Sequence, residues 1–280
     1  MIPAATAPGR VGRDGALRLA FERRGGATVL AACRSTLPLQ VLAPVALDDA
    51  AAVVSMLNPT GGVLGGDHLT VEIDVGAGAH ACLTTPSATR VYRSAGPPAI
   101  QIVRARLAPG AVCEWVPDHT IPSPGAILEQ DLAFHVGEGA TLLALDAWAA
   151  GRVARGEAWT FTRLSSALRV DDAAGPLLHD RFVLTGGRDW SARGFTDGHA
   201  YFASLALITD AGLDDFLAAL PFVAPAGGGA TLGAARLPRR GALVRCVARG
   251  APELTAALHA TWSLARRAVL GAPPLALRKG

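Results

Sequence analysis

The feature that most restricts how this 280-residue chain can fold is a unit that recurs three times along its middle. Each unit is an apolar strand, a three-residue turn ending in glycine, and a second apolar strand opening on alanine. The first runs Leu69–Val75, Gly76-Ala77-Gly78 and Ala79–Thr85; the second Ile102–Leu107, Ala108-Pro109-Gly110 and Ala111–Val116; the third Leu132–Val136, Gly137-Glu138-Gly139 and Ala140–Asp146. The turn glycines are 32 and 29 residues apart, and looser versions occur at Gly26-Ala27 and Ala174-Gly175. A lone hairpin cannot bury its apolar face, whereas stacked hairpins share a continuous core. The period therefore predicts a mainly β body of stacked β-hairpins, β-helix- or solenoid-like.

The flanks fill in the layout. Leu17, Leu19 and Phe21 alternate with polar residues, Arg24-Gly25-Gly26 turns the chain, and Thr28–Arg34 returns it. Leu37–Leu42 reads as a short strand ended by Pro44, and Ala50–Leu57 leads into a glycine-rich stretch. Trp159–Arg163, Ala167–Val170, Leu177–Leu184 and Tyr201–Ile208 read as strands, with a polar loop over 185–200. Asp210 is a candidate N-cap for a helix over Ala211–Leu220 stopped by Pro221. A glycine-rich connector at 225–229 precedes strands at Ala230–Leu237 and Ala242–Ala248. Pro252 opens a second helix with Leu254, Leu258, Trp262 and Leu264 on its buried side, and Gly271 ends it. One domain over 1–280 is expected, with a β body over 1–208 and a smaller β/α part with two α-helices over 209–280.

Half the residues are apolar and 18% are charged, which excludes a disordered chain. A net charge of +3 gives no reason to invoke nucleic acid. Cys33, Cys82, Cys113 and Cys246 form no CxxC, so neither a disulfide framework nor a zinc ribbon is expected, and three of them sit in apolar stretches. The first residues lack an apolar signal core, and no run is long enough to span a membrane. A cytoplasmic protein is the expectation.

No G-x-S-x-G elbow is present, and GGVLGGD lacks the ending of a phosphate-binding loop. The seven histidines form neither HxH nor HExxH, so a tight metal site is not signalled. The carboxylates are more informative. Asp67, Glu72, Asp74, Glu114, Asp118, Asp146, Glu157 and Asp180 lie within or beside apolar strands, where an unpartnered charge is costly. Arginine partners, with Arg93, Arg152 and Arg181 as candidates, are one resolution. The other is a polar path through the β core that carries water and weakly held divalent cations.

The glycine-rich stretch, NPTGGVLGGD over Asn58–Asp67, is followed by the first repeated unit and by ATRVYRS over Ala88–Ser94. With Glu114-Trp115-x-Pro117, Gly151-Arg152…Gly156-Glu157 and Leu177-Leu178-His179-Asp180-Arg181, it resembles the UreD (also UreH) urease accessory proteins over residues 15 to 185. The chain departs from that pattern at His68, at Asp118 and in its C-terminal PPLALRKG. The resemblance implies a largely β, helix-like stack with two α-helices, and a maturation scaffold with no turnover of its own. It implies binding to the urease apoprotein, to UreF and, through UreF, to the GTPase UreG. No cofactor is bound tightly on this reading, nickel passes transiently, and neither nucleic acid nor membrane is a partner. Asp67, Thr89, Asp146 and Asp180 would line or gate the nickel route, and Tyr92, Arg93 and Arg152 would hold loops or meet a partner. Two alternatives stand beside it: a β-rich metal-dependent hydrolase using His179, Asp180 and His199, and a structural adaptor without a nickel route.

Overall fold

The computed structural model describes residues 14–42, 50–188, 190–193, 196–223 and 229–277. Its strands are β1 (Asp14–Arg24), β2 (Ala27–Thr36), β3 (Gln40–Val41), β4 (Ala52–Leu57), β5 (His68–Val75), β6 (His80–Thr84), β7 (Thr89–Val91), β8 (Ala99–Leu107), β9 (Val112–Trp115) and β10 (Thr120–Pro122). They continue with β11 (Ile127–Val136), β12 (Thr141–Ala149), β13 (Gly151–Arg152), β14 (Glu157–Ala158), β15 (Arg163–Asp172), β16 (Gly175–Thr185) and β17 (Tyr201–Ile208). Helix α1 (Leu213–Ala219), β18 (Ala230–Arg236), β19 (Ala242–Ala248) and α2 (Ala251–Ala265) complete the chain. The architecture is mainly β, stacked in the manner of a solenoid, with two helices near the C-terminus.

The strands make two facing sheets. The first runs β16-β15-β11-β8-β5-β1-β2, and the second runs β18-β19-β17-β12-β9-β6-β4-β3 with β7 and β10 attached. The repeated units stack as their period predicts, but each is an arch and not a hairpin. In the first unit β5 belongs to one sheet and β6 to the other, and the later units divide in the same way. Each strand pairs in parallel with its counterpart in the next unit, β5 with β8 and β8 with β11, β6 with β9 and β9 with β12. The turns explain this. Gly78, Gly110 and Gly139 are left-handed, with φ of 64°, 66° and 64°. Their hydrogen bonds run onward to the next turn, from Gly78 N–H to Pro109 O at 3.3 Å and from Gly110 N–H to Glu138 O at 2.9 Å. The chain thus crosses from sheet to sheet instead of folding back on itself. The two looser units are the true hairpins: β1 with β2 and β15 with β16 are antiparallel and flank the parallel strands of the first sheet.

Strand alternation sets what lies between the sheets. Leu17, Val71, Val103, Leu132 and Leu168 point inward from the first sheet, and Val54, Leu83, Cys113 and Leu142 from the second, in one core. A second core lies on the other face of the second sheet, where Leu143, Leu205 and Val244 pack against Phe216 of α1 and Leu254 and Trp262 of α2. Covered on both sides, β12 has every residue buried, which is why Leu142–Ala149 is apolar at every position but Asp146.

Other local expectations change. The α1 N-cap is Gly212 and not Asp210, because Thr209 Oγ1 accepts from Ala211 N–H and the chain turns before entering the helix. Trp159 is left-handed, with φ 62°, so strand β15 starts only at Arg163. Of the expected Leu37–Leu42 strand only Gln40–Val41 pairs; Pro44 and most of the 225–229 connector lie outside the described residues. Helix α2 has Pro252 in its first turn and widens at Arg266–Leu270 before Gly271 caps it in the left-handed region.

Candidate functional site: a buried carboxylate beside two cavities

The two halves of the glycine-rich motif touch each other. Val63 N–H donates to Arg90 O at 2.8 Å, Tyr92 N–H donates to Val63 O at 2.9 Å, and the Tyr92 hydroxyl donates to Gly61 O at 3.2 Å. A Cβ on Gly62, whose φ is 154°, would stand 2.6 Å from Arg90 O, and one on Gly65 would stand 2.8 Å from Ser94 Cα. Glycine is needed here because two backbone segments pass in contact. Asp67 closes the loop: it is buried, and its Oδ2 accepts from Leu64 N–H at 2.8 Å. Arg93 is exposed and bridges Ala126 through its backbone.

Asp146 lies on the inward face of β12, between the sheets. Its Oδ1 accepts from Gln130 Nε2 at 2.8 Å and Trp148 Nε1 at 2.7 Å, and its Oδ2 accepts from Ser166 Oγ at 2.7 Å. These donors are neutral. Burial pushes its pKa up to about 6 against the lowering effect of the three hydrogen bonds, and the charge of Asp180 adds to the rise. Asp146 borders two voids. One, of about 80 Å³, also has Thr89, Asp118, Thr120 and Gln130 in its wall and is large enough for water. The other, of about 230 Å³, is walled by Trp148, Trp159, Phe182 and Phe202 with Ser204 and Arg245. The fold therefore brings Thr89 and Asp146 to one cavity; Asp67 does not line either void.

Asp180 faces inward from edge strand β16 with Phe182, and its side chain is 15% exposed. Its partner is none of the candidate arginines. Arg245 Nη2 donates to Oδ1 at 2.7 Å and Ser204 Oγ donates to Oδ2 at 2.8 Å. Ser204 and Arg245 are wall residues of the aromatic void, which ties Asp180 to the far side of Asp146. Arg152 is held by Glu157 within the small β13–β14 sheet, with Nη2 at 2.9 Å from Oε1, and so organises its own loop. The hydrolase residues do not converge. His179 is exposed on the opposite face of β16 from Asp180, and His199 Nδ1 bonds Thr196 O at 2.8 Å.

A second polar cluster lies on the helix-covered face of the second sheet. Glu114 is fully buried, and its Oε1 meets His80 Nε2 at 2.6 Å and Arg266 Nη1. Trp262 Nε1 donates to Oε2 at 2.5 Å. Arg266, itself fully buried, also donates to Pro273 O at 2.9 Å, so the cluster clamps α2 and the C-terminal turn onto the stack. Among the described residues no three His, Cys, Asp or Glu side chains stand together as metal ligands. Burial pushes the Cys246 thiol up to about 11, and burial with the Glu114 charge raises Cys113 further, so neither offers a thiolate near neutral pH.

The sequence reading named the acids but missed their partners. Gln130 and Ser166 carried a signal. Each is polar at an inward slot, between Leu128 and Leu132 and between Leu164 and Leu168, and the two are paired in register. Arg266 follows Trp262 by one helical turn, but nothing in sequence joins either to Glu114.

Compared with known proteins, residues 13–279 match the family model described as "UreD urease accessory protein". The chain is 37% identical over 270 residues to a urease accessory protein UreD of Alkalilimnicola ehrlichii, covering 96% of this chain and 91% of that one. It is 35% identical to the UreD of Deinococcus radiodurans, covering 97% and 96% of the two chains. It is 34% identical to the UreD of Ralstonia nicotianae, covering 95% and 92%.

Proposed function

This chain belongs to the UreD urease accessory protein family, and from that membership and the buried Asp146 we propose that it is a chaperone that helps insert nickel into urease. Its place in urease maturation follows from the family. On the proposed reading it works in the cytoplasm, binds the urease apoprotein with UreF, and reaches the GTPase UreG through UreF. Nickel is its cargo and not a resident cofactor.

The observation that carries the reading is Asp146, a carboxylate held between two voids by neutral donors alone. A dication in a dry β core meets a large desolvation cost, which water and an anionic oxygen offset. One carboxylate with water binds such an ion weakly enough to release it, whereas a closed set of imidazoles and thiolates retains it. The test is to produce urease with and without this chain and to measure nickel per active site. Omission lowers nickel content, and Asp146→Ala lowers it while the variant still co-purifies with the urease apoprotein. Wild-type nickel content in the absence of the chain would remove the reading.

A structural adaptor is the second reading. It draws support from Asp180 and Arg152, whose charges are already committed to Arg245 and Glu157. Full nickel loading by Asp146→Ala, with the complex intact, would select it.

A further inference from the structure

The glycine-rich loop and the strand it touches present a surface patch that lies outside both Asp146 cavities. Leu64, Arg90 and Arg93 are exposed, and Tyr92 is half-buried beside them. Leu64 is 49% exposed, one of four large apolar side chains so open among the described residues. The loop's own acid, Asp67, is buried, with Oδ2 taken by Leu64 N–H. Arg18, Arg104, Arg163 and Arg169 on the outer face of the first sheet each hold a carboxylate, whereas Arg90 and Arg93 form no ion pair among the described residues.

Glycines beneath the patch hold these side chains in place. A Cβ on Gly62 would stand 2.7 Å from Tyr92 Cε2 and 3.1 Å from Arg90 Cβ. One on Gly125 would stand 3.0 Å from Arg93 Nε and 3.1 Å from its Cγ. The Arg93 stem therefore lies along bare backbone, and the Tyr92 hydroxyl is pinned to Gly61 O at 3.2 Å. The backbones are tied as well. Arg93 bridges Ala126, Ser94 N–H donates to Gly125 O at 3.1 Å, and Gly125 N–H donates to Thr160 O at 3.0 Å. A long exposed side chain loses rotamer freedom when a partner fixes it, and here part of that cost is already met on folding.

We infer that Leu64, Arg90, Tyr92 and Arg93 form a docking patch for an acidic face of a protein partner, with partner carboxylates on the two guanidiniums and Leu64 as the apolar anchor. The inference rests on the reading that this chain works bound to other urease-maturation proteins, and it names where one of them docks. Two features favour a protein. Arginine and tyrosine around an apolar side chain are the composition of a protein interface, and the planar arginine fork takes a carboxylate on two bonds. Two cations on a chain of net charge +3 are too few to hold nucleic acid or an anionic membrane.

The test measures binding of the full chain to urease apoprotein and, separately, to UreF over a range of salt, with the thermal midpoint of each variant alongside. Arg90→Glu/Arg93→Glu loses at least about tenfold in affinity for one of the two at an unchanged midpoint. Arg90→Gln/Arg93→Gln loses less and flattens the salt dependence, and Leu64→Asp weakens the same partner. Unchanged affinity of the Glu variant for both partners overturns the inference and leaves the maturation role standing. Failure of the wild type to bind either overturns that role and the inference with it. If the Glu variant does not fold, the Gln variant carries the test; if that also fails to fold, the arginines are structural and the inference falls. Arginine-dependent capture by phosphatidylserine vesicles or by RNA, with both proteins bound normally, overturns it too.

Discussion

Asp131, on the outer face of the first sheet, and Asp146, on the inner face of the second, are held in opposite ways. Asp131 takes Arg104 Nη2 at 2.5 Å and Arg169 Nη2 at 2.6 Å on its Oδ2. Burial alone would raise its pKa, but the hydrogen bonds and charges of Arg169 and Arg104 together hold it below the usual carboxylate value. Around it the outer face is a lattice of such pairs, Arg18 with Glu72 and Arg163 with Glu129, all partly open to water. Asp146 has no such cation; burial raises it, and neutral donors only moderate the rise. On the outside, charge spreads over a solvated ladder of neighbouring strands. Inside, one charge is kept where an arginine would have cancelled it. The lesson is that acids in one stack need not share a role, and that partner identity separates them better than burial does.

The largest effect lies at Glu114, a fully buried acid paired with a fully buried cation. Glu114→Ala leaves Arg266 buried without its carboxylate and should cost about 3–5 kcal/mol, read as a fall in the denaturation midpoint. Unchanged stability would mean that α2 is not clamped by charge and would weaken the contrast with Asp146.

Asp146→Asn comes next, with the opposite sign. Its folded pKa of about 6 lies above the unfolded carboxylate value of about 3.9. Between those values the folded chain keeps a proton that the unfolded chain has lost, so this group's contribution is fully present in acid and is lost as pH rises through about 6. Asn keeps acceptors for Gln130 and Trp148, and Ser166 can turn to accept. It should raise stability at pH 8 by about 1–3 kcal/mol and flatten the slope between pH 4 and pH 6. A loss of stability at pH 8 would show that the ionised carboxylate is matched by its surroundings.

Asp131→Asn should cost least, about 0.5–1 kcal/mol, and less again in 1 M salt, as expected of partly exposed pairs. Its depressed pKa makes the wild-type contribution present above the ordinary carboxylate value and lost as pH falls through the folded one. Acid titration of the two variants therefore sharpens the comparison. An Asp131→Asn cost that rises as pH falls below 5 would break it.

Much of the fold was legible in the chain. The Gly78, Gly110 and Gly139 period marked the coils, and alternation marked which residues face inward. The mistaken detail was the hairpin inside each unit. A strand, a left-handed glycine and a second strand look the same in sequence whether the second strand pairs with the first or crosses to a facing sheet. Only the onward bonds from Gly78 to Pro109 and from Gly110 to Glu138 distinguish the two. The site was legible to a similar depth. Asp146 stands out as the charged residue in a run buried on both faces, whereas Asp180 gave no sign that its cation would be Arg245.

Local chemistry, read along the chain, determined where strands start, which way their side chains alternate, which glycines turn the backbone and which acids fall among apolar neighbours. These properties depend on residues a few positions apart, whose geometry the backbone fixes. Tertiary structure alone decided that the units are arches, that Arg266 crosses to Glu114, that Arg245 crosses to Asp180, and that Asp146 is left with neutral partners between two voids. Those outcomes depend on contacts across long stretches of chain, set by sheet packing, and the same acid is quenched or left available according to what the opposite strand or helix brings to it.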